Sequence, residues 1–408
     1  MVKGKYNFID LFAGCGGFSE GFYQEGFRVL SHVEINKFAC ETLKERMRYY
    51  DYSEEDINNS VLCKDIRDKD IIEKIQEQTE GENVDVLVGG PPCQSFSSVG
   101  RAQDPNSMKG DSRNYLFENY INILEYFKPK IFVFENVIGL LSAKPDGERI
   151  LPRIFKAMKK EYNINEDEND IVLNSVHYGV PQTRKRVIII GVRKDIDCKA
   201  EEIYDKIEKT HYGPKDPEEM KKNLKKYRTV GDAILDLPKL KPSQGEEEID
   251  FKPDNWNEYL DIIRDREFGK LYNHVVRGHN ERDRKRYRIL SENLWTLKDL
   301  DKEHPELVHH DPDHFGNRYT VQRADMPGRT IVAHLYKDGN LFIHPDPDQE
   351  RTFTVREAAR IQSFPDDFRF MTSRTQQFKQ VGNAVPPMMA KAIANAIYKT
   401  LKSIEKGV

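Results

Sequence analysis

The chain has 408 residues, of which 38% are apolar and 10% aromatic, enough to bury the core of one large domain or two. Its net charge of −4 gives no overall sign of a nucleic-acid partner, and its five cysteines form no CxxC pair and no Cys/His cluster with zinc spacing. The sequence contains neither an apolar run long enough to cross a membrane nor a signal-peptide core at its start. We therefore expect a cytoplasmic monomer with reduced thiols, no metal site and no membrane contact.

Apolar runs typical of strands alternate with helical patterns from residue 6 to about 192, which indicates a mostly parallel sheet flanked by helices. Strands are predicted at 6–12, 28–33, 61–63, 84–88, 130–134, 171–176 and 186–192. Residues 114–127 repeat apolar side chains at helical spacing. The predicted fold class is thus α/β, with a doubly wound mixed sheet in a first domain of residues 1–194.

The remainder of the chain divides into two parts. Residues 195–350 are charged and rich in loops, and we expect them to form a second, smaller and irregular domain. The basic run at 277–288 within it indicates either phosphate contacts or an ordinary solvated helix face. Residues 351–408 regain helical patterns, with a capping box predicted at Thr354 and Glu357. The last helix carries one apolar face, so it should pack back on the first domain.

A glycine-rich turn follows the first strand, where a ligand can approach bare backbone. It contains Gly14 and Gly16, but Ser19 stands where a nicotinamide fingerprint would place its third glycine. Glu34 and Asp65 end the next two strands, and each of them alone could instead cap a helix. Acids beside a glycine turn without a phosphate-binding lysine favour a positively charged nucleoside such as S-adenosylmethionine.

A thiol, a carboxyl group and two guanidinium groups are predicted to meet at the same edge of the sheet. Cys93 follows the fourth strand on a loop stiffened by prolines, and Glu135 ends the fifth strand. Arg184 and Arg186 precede the last strand. A buried inert cysteine is the alternative for any single thiol. Together, however, these groups suit covalent addition of the thiol to a polarised ring.

Six motifs in this order look like the successive signatures of the DNA (cytosine-5)-methyltransferases. They are "FIDLFAGCGGFSEGF", "GGPPCQSFS", "FENV", "QTRKR", "TVREAARIQSFPDDF" and "QVGNAVPP". The resemblance covers residues 6–192 and 352–400, and it implies that the charged region between them is a target-recognition domain. It also implies the fold of S-adenosylmethionine-dependent methyltransferases, which is Rossmann-like.

The resemblance implies a role for each residue of the thiol group. Cys93 matches the nucleophile that adds to carbon 6 of cytosine. Glu135 matches the acid that bonds ring nitrogen 3 and the exocyclic amine, and Arg186, with Arg184 beside it, matches a contact to the base carbonyl. Because carbon 6 is shielded in a stacked duplex, the target base must be flipped out of double-stranded DNA.

The resemblance also implies a cofactor and a DNA-contacting surface. S-adenosyl-L-methionine would be held by Phe12, Gly14, Gly16, Glu34, Asp65, Ile66, Pro92, Asn383 and Val385. The candidate DNA contacts are Arg277, Arg284, Arg286, Arg318, Arg323 and Arg329. The expected setting is a restriction-modification system, in which a cognate endonuclease is a further partner.

Three alternatives remain at this point. A transfer-RNA cytosine-5 methyltransferase is disfavoured because such enzymes carry a Cys-Phe-Thr tripeptide and this chain has no Cys-Phe pair. A catalytically inactive DNA-binding subunit is disfavoured because Cys93, Glu135 and Arg186 are all present. A nicotinamide oxidoreductase is disfavoured by the missing third glycine.

Overall fold

The computed structural model describes residues 4–92, 115–145, 147–308 and 318–406. The predicted nucleophile Cys93 lies outside the described residues, as does the loop that follows it. Within the described ranges, no helix is both long and apolar enough to cross a membrane.

The chain forms two compact units. The first comprises Met1–Tyr178, Lys185–Lys209 and Pro387–Val408. The second comprises Gly179–Arg184 and Thr210–Pro386. Residues 351–386, which the sequence groups with the last helix, thus belong to the second unit.

The first unit is built on a mixed eight-stranded sheet. Its strands are β1 (Tyr6–Leu11), β2 (Phe27–Val33), β3 (Val61–Leu62), β4 (Val86–Gly89), β5 (Ile131–Val137), β6 (Tyr162–Ile164), β7 (Val172–Asn174) and β8 (Lys185–Arg193). The order is β3-β2-β1-β4-β5-β8-β6, and β7 also pairs with β8. The first five strands in this order run parallel, whereas β8 is antiparallel to β5. All seven predicted strands are confirmed; β6 was missed because it is short and has a polar centre.

Helices of the described residues flank these strands. They are α1 (Gly17–Gln24), α2 (Lys37–Tyr49), α3 (Glu54–Ser60), α4 (Ile71–Thr79), α5 (Leu116–Phe127), α6 (Leu151–Met158) and α7 (Ala200–Lys206). Alternate side chains of β1 face opposite layers: Leu11 belongs to a core with α4, α5 and α6, whereas the ring of Phe8 packs 5.1 Å from that of Phe22 in α1. Tyr120 of α5 fixes that helix to the sheet by donating its hydroxyl to backbone carbonyls of β4 and β5.

The second unit is made of short elements. Its strands are β9 (His211–Tyr212), β10 (Lys225–Lys226), β11 (Gly245–Asp250) and β12 (Lys270–Val275). Its helices are α8 (Glu218–Asn223), α9 (Val230–Ile234), α10 (Leu260–Ile263), α11 (Glu281–Asn293), α12 (Leu297–Glu303), α13 (Val355–Ile361) and α14 (Arg374–Asn383). The predicted capping box is confirmed, because Thr354 and Glu357 bond each other's backbone at the start of α13.

Buried ion pairs hold these short elements together. Arg360 in α13 pairs with Asp366 and with Asp236, and Arg264 after α10 pairs with the same Asp366 at 2.8 Å. Burial alone would raise the pKa of Asp366, but the charge and hydrogen bonds of Arg360 lower it to about 2. Each charge is therefore matched by a partner, as burial requires.

The last helix, α15 (Pro387–Lys406), packs on α1 within the first unit, as predicted. The two helices are in close contact at Gly21. A Cβ atom there would lie 2.4 Å from the backbone nitrogen of Lys391. Only a residue without a side chain permits this approach of two backbones.

We predict that Gly21→Ala lowers the free energy of unfolding by about 1–3 kcal/mol because of this overlap. At an exposed position inside a helix, the same change would instead raise the free energy of unfolding by up to about 1 kcal/mol. Urea denaturation measures whether the free energy of unfolding falls or rises. Gly269→Ala, just before β12, is the control for adding a methyl group without overlap, since a Cβ atom there meets nothing within 4 Å. A stabilised Gly21→Ala variant would contradict the close packing of α1 and α15.

Candidate functional site

The register of the parallel strands brings the candidate site together. Leu11 at the end of β1 pairs with Val33 on one side and Gly89 on the other, and Gly89 pairs with Phe134. The residues that come next along each strand therefore lie in a row: Glu34, Phe12, Gly90 and Glu135. This row crosses the point between β1 and β4 where the strand order reverses, which is where open α/β sheets bind ligands.

The glycine turn and the acid after β2 are joined directly. The backbone N–H of Gly14 donates to the Glu34 carboxylate at 2.8 Å, and the N–H of Asn36 donates to its other oxygen at 2.7 Å. Burial raises the pKa of Glu34 above its usual value, while these backbone donors oppose that shift. The turn thus holds Glu34 in one orientation.

The backbone of the turn suits a ligand that lies directly against it. Gly14 and Gly16 have φ values of 58° and 92°, in the left-handed region. A Cβ atom at Gly14 would meet nothing within 4 Å, so that side of the turn is open. Phe12 has a φ of 58°, which is uncommon for a bulky residue and is typical of functional sites. An open turn beside a fixed carboxylate fits a nucleoside cofactor.

The other cofactor candidates are placed as follows. Asp65 is half-buried, and Arg67 binds its carboxylate and lowers its pKa; Ile66 next to it is buried. Pro92 is exposed at the end of the described part of its loop. Asn383, exposed, and Val385, buried, belong to the second unit. Their contacts with a cofactor remain predictions.

The loop before Cys93 is joined to the end of β5 by one hydrogen bond and by a close approach at Gly90. Asn136 donates its side-chain amide to the carbonyl of Pro91 at 3.2 Å, in a buried position. A Cβ atom at Gly90 would lie 2.7 Å from a carboxylate oxygen of Glu135. The backbone at Gly90 therefore forms one wall of the space around this carboxylate.

Glu135 and Arg186 lie together at this wall. The guanidinium Nε of Arg186 is 2.8 Å from the Glu135 carboxylate, and only 12% and 14% of the two side chains are exposed. Burial lowers the pKa of Arg186, and the charge of Glu135 counteracts that effect. The site thus offers an acceptor and a charged donor side by side, which can bind two edges of a planar polar ring.

Arg184, predicted to stand beside Arg186, has a different role. Its side chain is 2% exposed, and its guanidinium donates to the carbonyls of Ile331 at 2.6 Å and Gly382 at 3.2 Å. All three residues belong to the second unit. We therefore correct the prediction: Arg184 is committed to holding backbone segments of that unit together.

Two of the candidate DNA contacts are also corrected. Arg286 is completely buried, and its guanidinium bonds the carbonyl of Leu307 and the hydroxyl of Tyr319. Arg277 is 8% exposed and donates to the carbonyl of Leu335 at 2.8 Å. Guanidinium groups in these positions bond acceptors in the interior of the second unit and are not presented to a phosphate.

The remaining four arginines are at least partly exposed. Arg284 pairs with Glu350, Arg318 lies 3.6 Å from Asp338, and Arg323 pairs with Asp325. Arg329 is exposed, and its guanidinium donates to Thr320.

Sequence reasoning did not assign roles to Gly90 and Asn136. Both lie within the motifs that were recognised, so their positions were visible, but neither carries chemistry of its own. The available signal was the adjacency of Gly90 to the prolines and of Asn136 to Glu135. Their function is to position the neighbouring groups, which only the contacts reveal.

Comparison with known proteins gives one family. The chain matches the sequence model of the family described as C-5 cytosine-specific DNA methylase over residues 6–399. Type II methyltransferase M.Bpa9945I of Bacillus paralicheniformis is 34% identical, covering 95% of this chain and 98% of that protein. Type II methyltransferase M.DdeI of Desulfomicrobium norvegicum is 33% identical, covering 96% of this chain and 88% of that protein.

Solved structures agree in fold. A prophage-encoded protein described as a DNA modification methyltransferase (E. coli) superposes with a TM-score of 0.69 at 25% identity, covering 98% of this chain and 100% of that chain. The methyltransferase EhMeth of Entamoeba histolytica superposes with a TM-score of 0.55 at 14% identity, covering 98% and 99% of the two chains. The second likeness concerns the fold alone.

We predict that Gly90→Ala lowers kcat for methyl transfer to DNA by roughly 10- to 100-fold, because the new methyl group displaces the Glu135 carboxylate. Initial rates with saturating cofactor measure the effect. In a Glu135→Ala background the same glycine change should have little further effect, since the overlap is gone. Independent, additive losses from the two changes would show that Gly90 acts in another way.

Proposed function

The chain belongs to the C-5 cytosine-specific DNA methylase family, and on that premise we propose that it methylates carbon 5 of a flipped cytosine in a specific duplex sequence, using S-adenosyl-L-methionine. The carrying observation is the contact of the loop before Cys93 with Glu135 beside Arg186. Glu135, Arg186 and the residues that precede Cys93 thus lie together, although they belong to three separate motifs.

The proposed reaction begins with Cys93. Its thiolate adds to carbon 6 of cytosine, forming a carbon–sulfur bond, and the electron pair of the 5,6 double bond moves toward carbon 5 and ring nitrogen 3. Glu135 acts as the acid: its protonated carboxyl group gives a proton to nitrogen 3 as negative charge develops there and takes it back when the ring is restored, while its other oxygen accepts a hydrogen bond from the exocyclic amine. Arg186 donates to the base carbonyl and neutralises the negative charge that reaches this oxygen.

The ring is restored after methylation. Carbon 5 then carries both a methyl group and its original proton; loss of that proton to a base re-forms the double bond and expels the Cys93 thiolate. Because a thiol is a far better nucleophile near neutral pH than a hydroxyl, cysteine suits this step. Flipping gives Cys93 access to carbon 6, which stacking otherwise shields.

The proposed cofactor residues surround the open glycine turn. S-adenosyl-L-methionine, when bound, supplies an electrophilic methyl group on a sulfonium. Glu34 would accept hydrogen bonds from the ribose hydroxyls, since each carboxylate oxygen keeps acceptor capacity beyond its backbone donor. Phe12 would stack near the adenine, and Asp65 with Ile66 would bind its edge. Asn383 and Val385 stay proposed cofactor residues on the motif match alone.

We also propose a place in a restriction-modification system, with a cognate endonuclease recognising the same sequence. This is supported by relatives named Type II methyltransferases that match nearly the whole chain. The general test of function is expression in a methylation-deficient host, followed by bisulfite sequencing. The expected result is 5-methylcytosine at one position of one short sequence, and unmethylated DNA would overturn the proposal.

We predict that Cys93→Ala abolishes methyl transfer and covalent trapping on duplex DNA that carries 5-fluorocytosine at the target. Without the thiol no bond to carbon 6 forms, whereas the cofactor turn is unchanged. Trapping is measured by a shift on a denaturing gel, and S-adenosylmethionine affinity by calorimetry serves as the folding control. Full turnover by this variant would refute the covalent mechanism.

We predict that Glu34→Ala weakens S-adenosylmethionine binding at least about tenfold, because it removes a ribose acceptor worth about 1.5–3 kcal/mol. Calorimetry measures the affinity. Glu34→Gln keeps one oxygen for the Gly14 N–H, so its affinity should lie between those of the wild type and Glu34→Ala. Glu41→Ala, at an exposed position of α2, is the control. Unchanged affinity in Glu34→Ala would remove this residue from the cofactor site.

A further inference from the structure

Three arginines predicted to contact DNA lie close together in the sequence of the second unit, and they differ in charge compensation. Arg323 binds Asp325 through two hydrogen bonds, at 3.0 and 2.7 Å. Arg318 lies 3.6 Å from Asp338. Arg329 is exposed and forms no ion pair with any carboxylate of the described residues. Within the part of the chain that the structure describes, its positive charge is thus left for an outside acceptor.

The segment that carries Arg329 is fastened on both sides by backbone hydrogen bonds. On one side, the N–H groups of Val230 and Gly231 at the start of α9 donate to Met326 and Ala324, each at 2.8 Å. On the other side, Gly328 exchanges two bonds of 2.9 Å with Pro181 and Thr183. Residues 324–328 therefore behave as part of the framework and not as a loose loop.

Two further side chains set the direction of Arg329 itself. Gln322, buried, accepts the backbone N–H of Arg329 at 3.0 Å and donates to the carbonyl of Leu341 at 2.8 Å. The hydroxyl of Thr320 accepts one guanidinium N–H of Arg329 at 3.3 Å. The backbone of Thr320 is in turn bonded to Asn340 and Ile343. The backbone of Arg329 is thus held in place, and its guanidinium points in a defined direction.

We infer that Arg329 reads a guanine in the recognised DNA sequence, an inference that rests on the proposed function. A guanidinium offers two parallel N–H donors that match oxygen 6 and nitrogen 7 of guanine in the major groove. Phosphate contacts set the register of a protein on the duplex but carry no sequence information, whereas sequence is read by contacts to base edges. A two-donor contact to a base edge depends on the direction of the guanidinium, and the held backbone of Arg329 fixes where that side chain starts. Arg329 combines a charge that pairs with no carboxylate of the described residues and a backbone that Gln322 holds, whereas Arg323 pairs with Asp325.

The test uses the full chain and compares Arg329→Gln with Arg266→Gln, which removes an exposed arginine of the second unit that pairs with Asp261 and is not a candidate DNA contact. The wild type is first profiled by bisulfite sequencing on a random duplex library in a methylation-deficient background. Arg329→Gln should then lose discrimination at one G·C position by about 5- to 150-fold and methylate sites with other bases there. Arg266→Gln should keep the wild-type site. Thermal unfolding and S-adenosylmethionine affinity check that both variants are folded.

Each outcome separates the possibilities. Unchanged site preference in a folded Arg329→Gln variant would overturn the inference. A loss of DNA affinity that is equal for all sequences, with a salt dependence of binding that is smaller by about one charge, would identify a phosphate contact. That result would also overturn the inference. Arg329→Lys tests geometry further, because lysine keeps the charge but not the paired donors, and it should also lose discrimination. No cytosine methylation by the wild type would instead refute the proposed function.

Discussion

The proposed site depends on the register of parallel strands at one edge of the sheet. Leu11, Gly89 and Phe134 are paired side by side, so the chain leaves three adjacent strands at the same level. The cofactor turn, the loop before Cys93 and the carboxylate of Glu135 follow directly from these ends. Hydrogen bonds and steric contacts refine their positions. A one-residue slip in the pairing register of a strand would, however, move the group that follows it away from the others.

The second unit obeys a different constraint. It has an apolar cluster around α11 and α12, but buried arginines also link segments that are distant in sequence. Arg360 and Arg264 share Asp366, while Arg184 bonds carbonyls of two other segments. Loss of one partner in such a pair leaves a buried charge and costs about 3–5 kcal/mol. An irregular chain can thus keep a defined shape through directional polar contacts.

The sequence predicted the first unit well and the second poorly, for a physical reason. Apolar alternation reports burial directly, so the strands and α5 were recognisable, and the motifs identified Glu34, Glu135 and Arg186 as site candidates. A charged residue is instead predicted to be exposed, since charged side chains are rarely buried without a partner. The partners that bury an arginine lie elsewhere in the chain and leave no local pattern. Arg286 bonds Leu307, 21 residues away, and no local pattern reveals that contact.

The "QTRKR" segment divides between the two compact units, and this affects how recognition regions can be exchanged among relatives. Residues 179–184 group with 210–386, whereas Lys185 begins β8 of the first unit. A chimera that transplanted only the variable middle of the chain would leave Gln182 and Arg184 of the recipient facing foreign backbone. Recombination that preserves a folded protein should therefore transfer this short upstream segment together with the recognition region, so the two are expected to evolve as one inherited block.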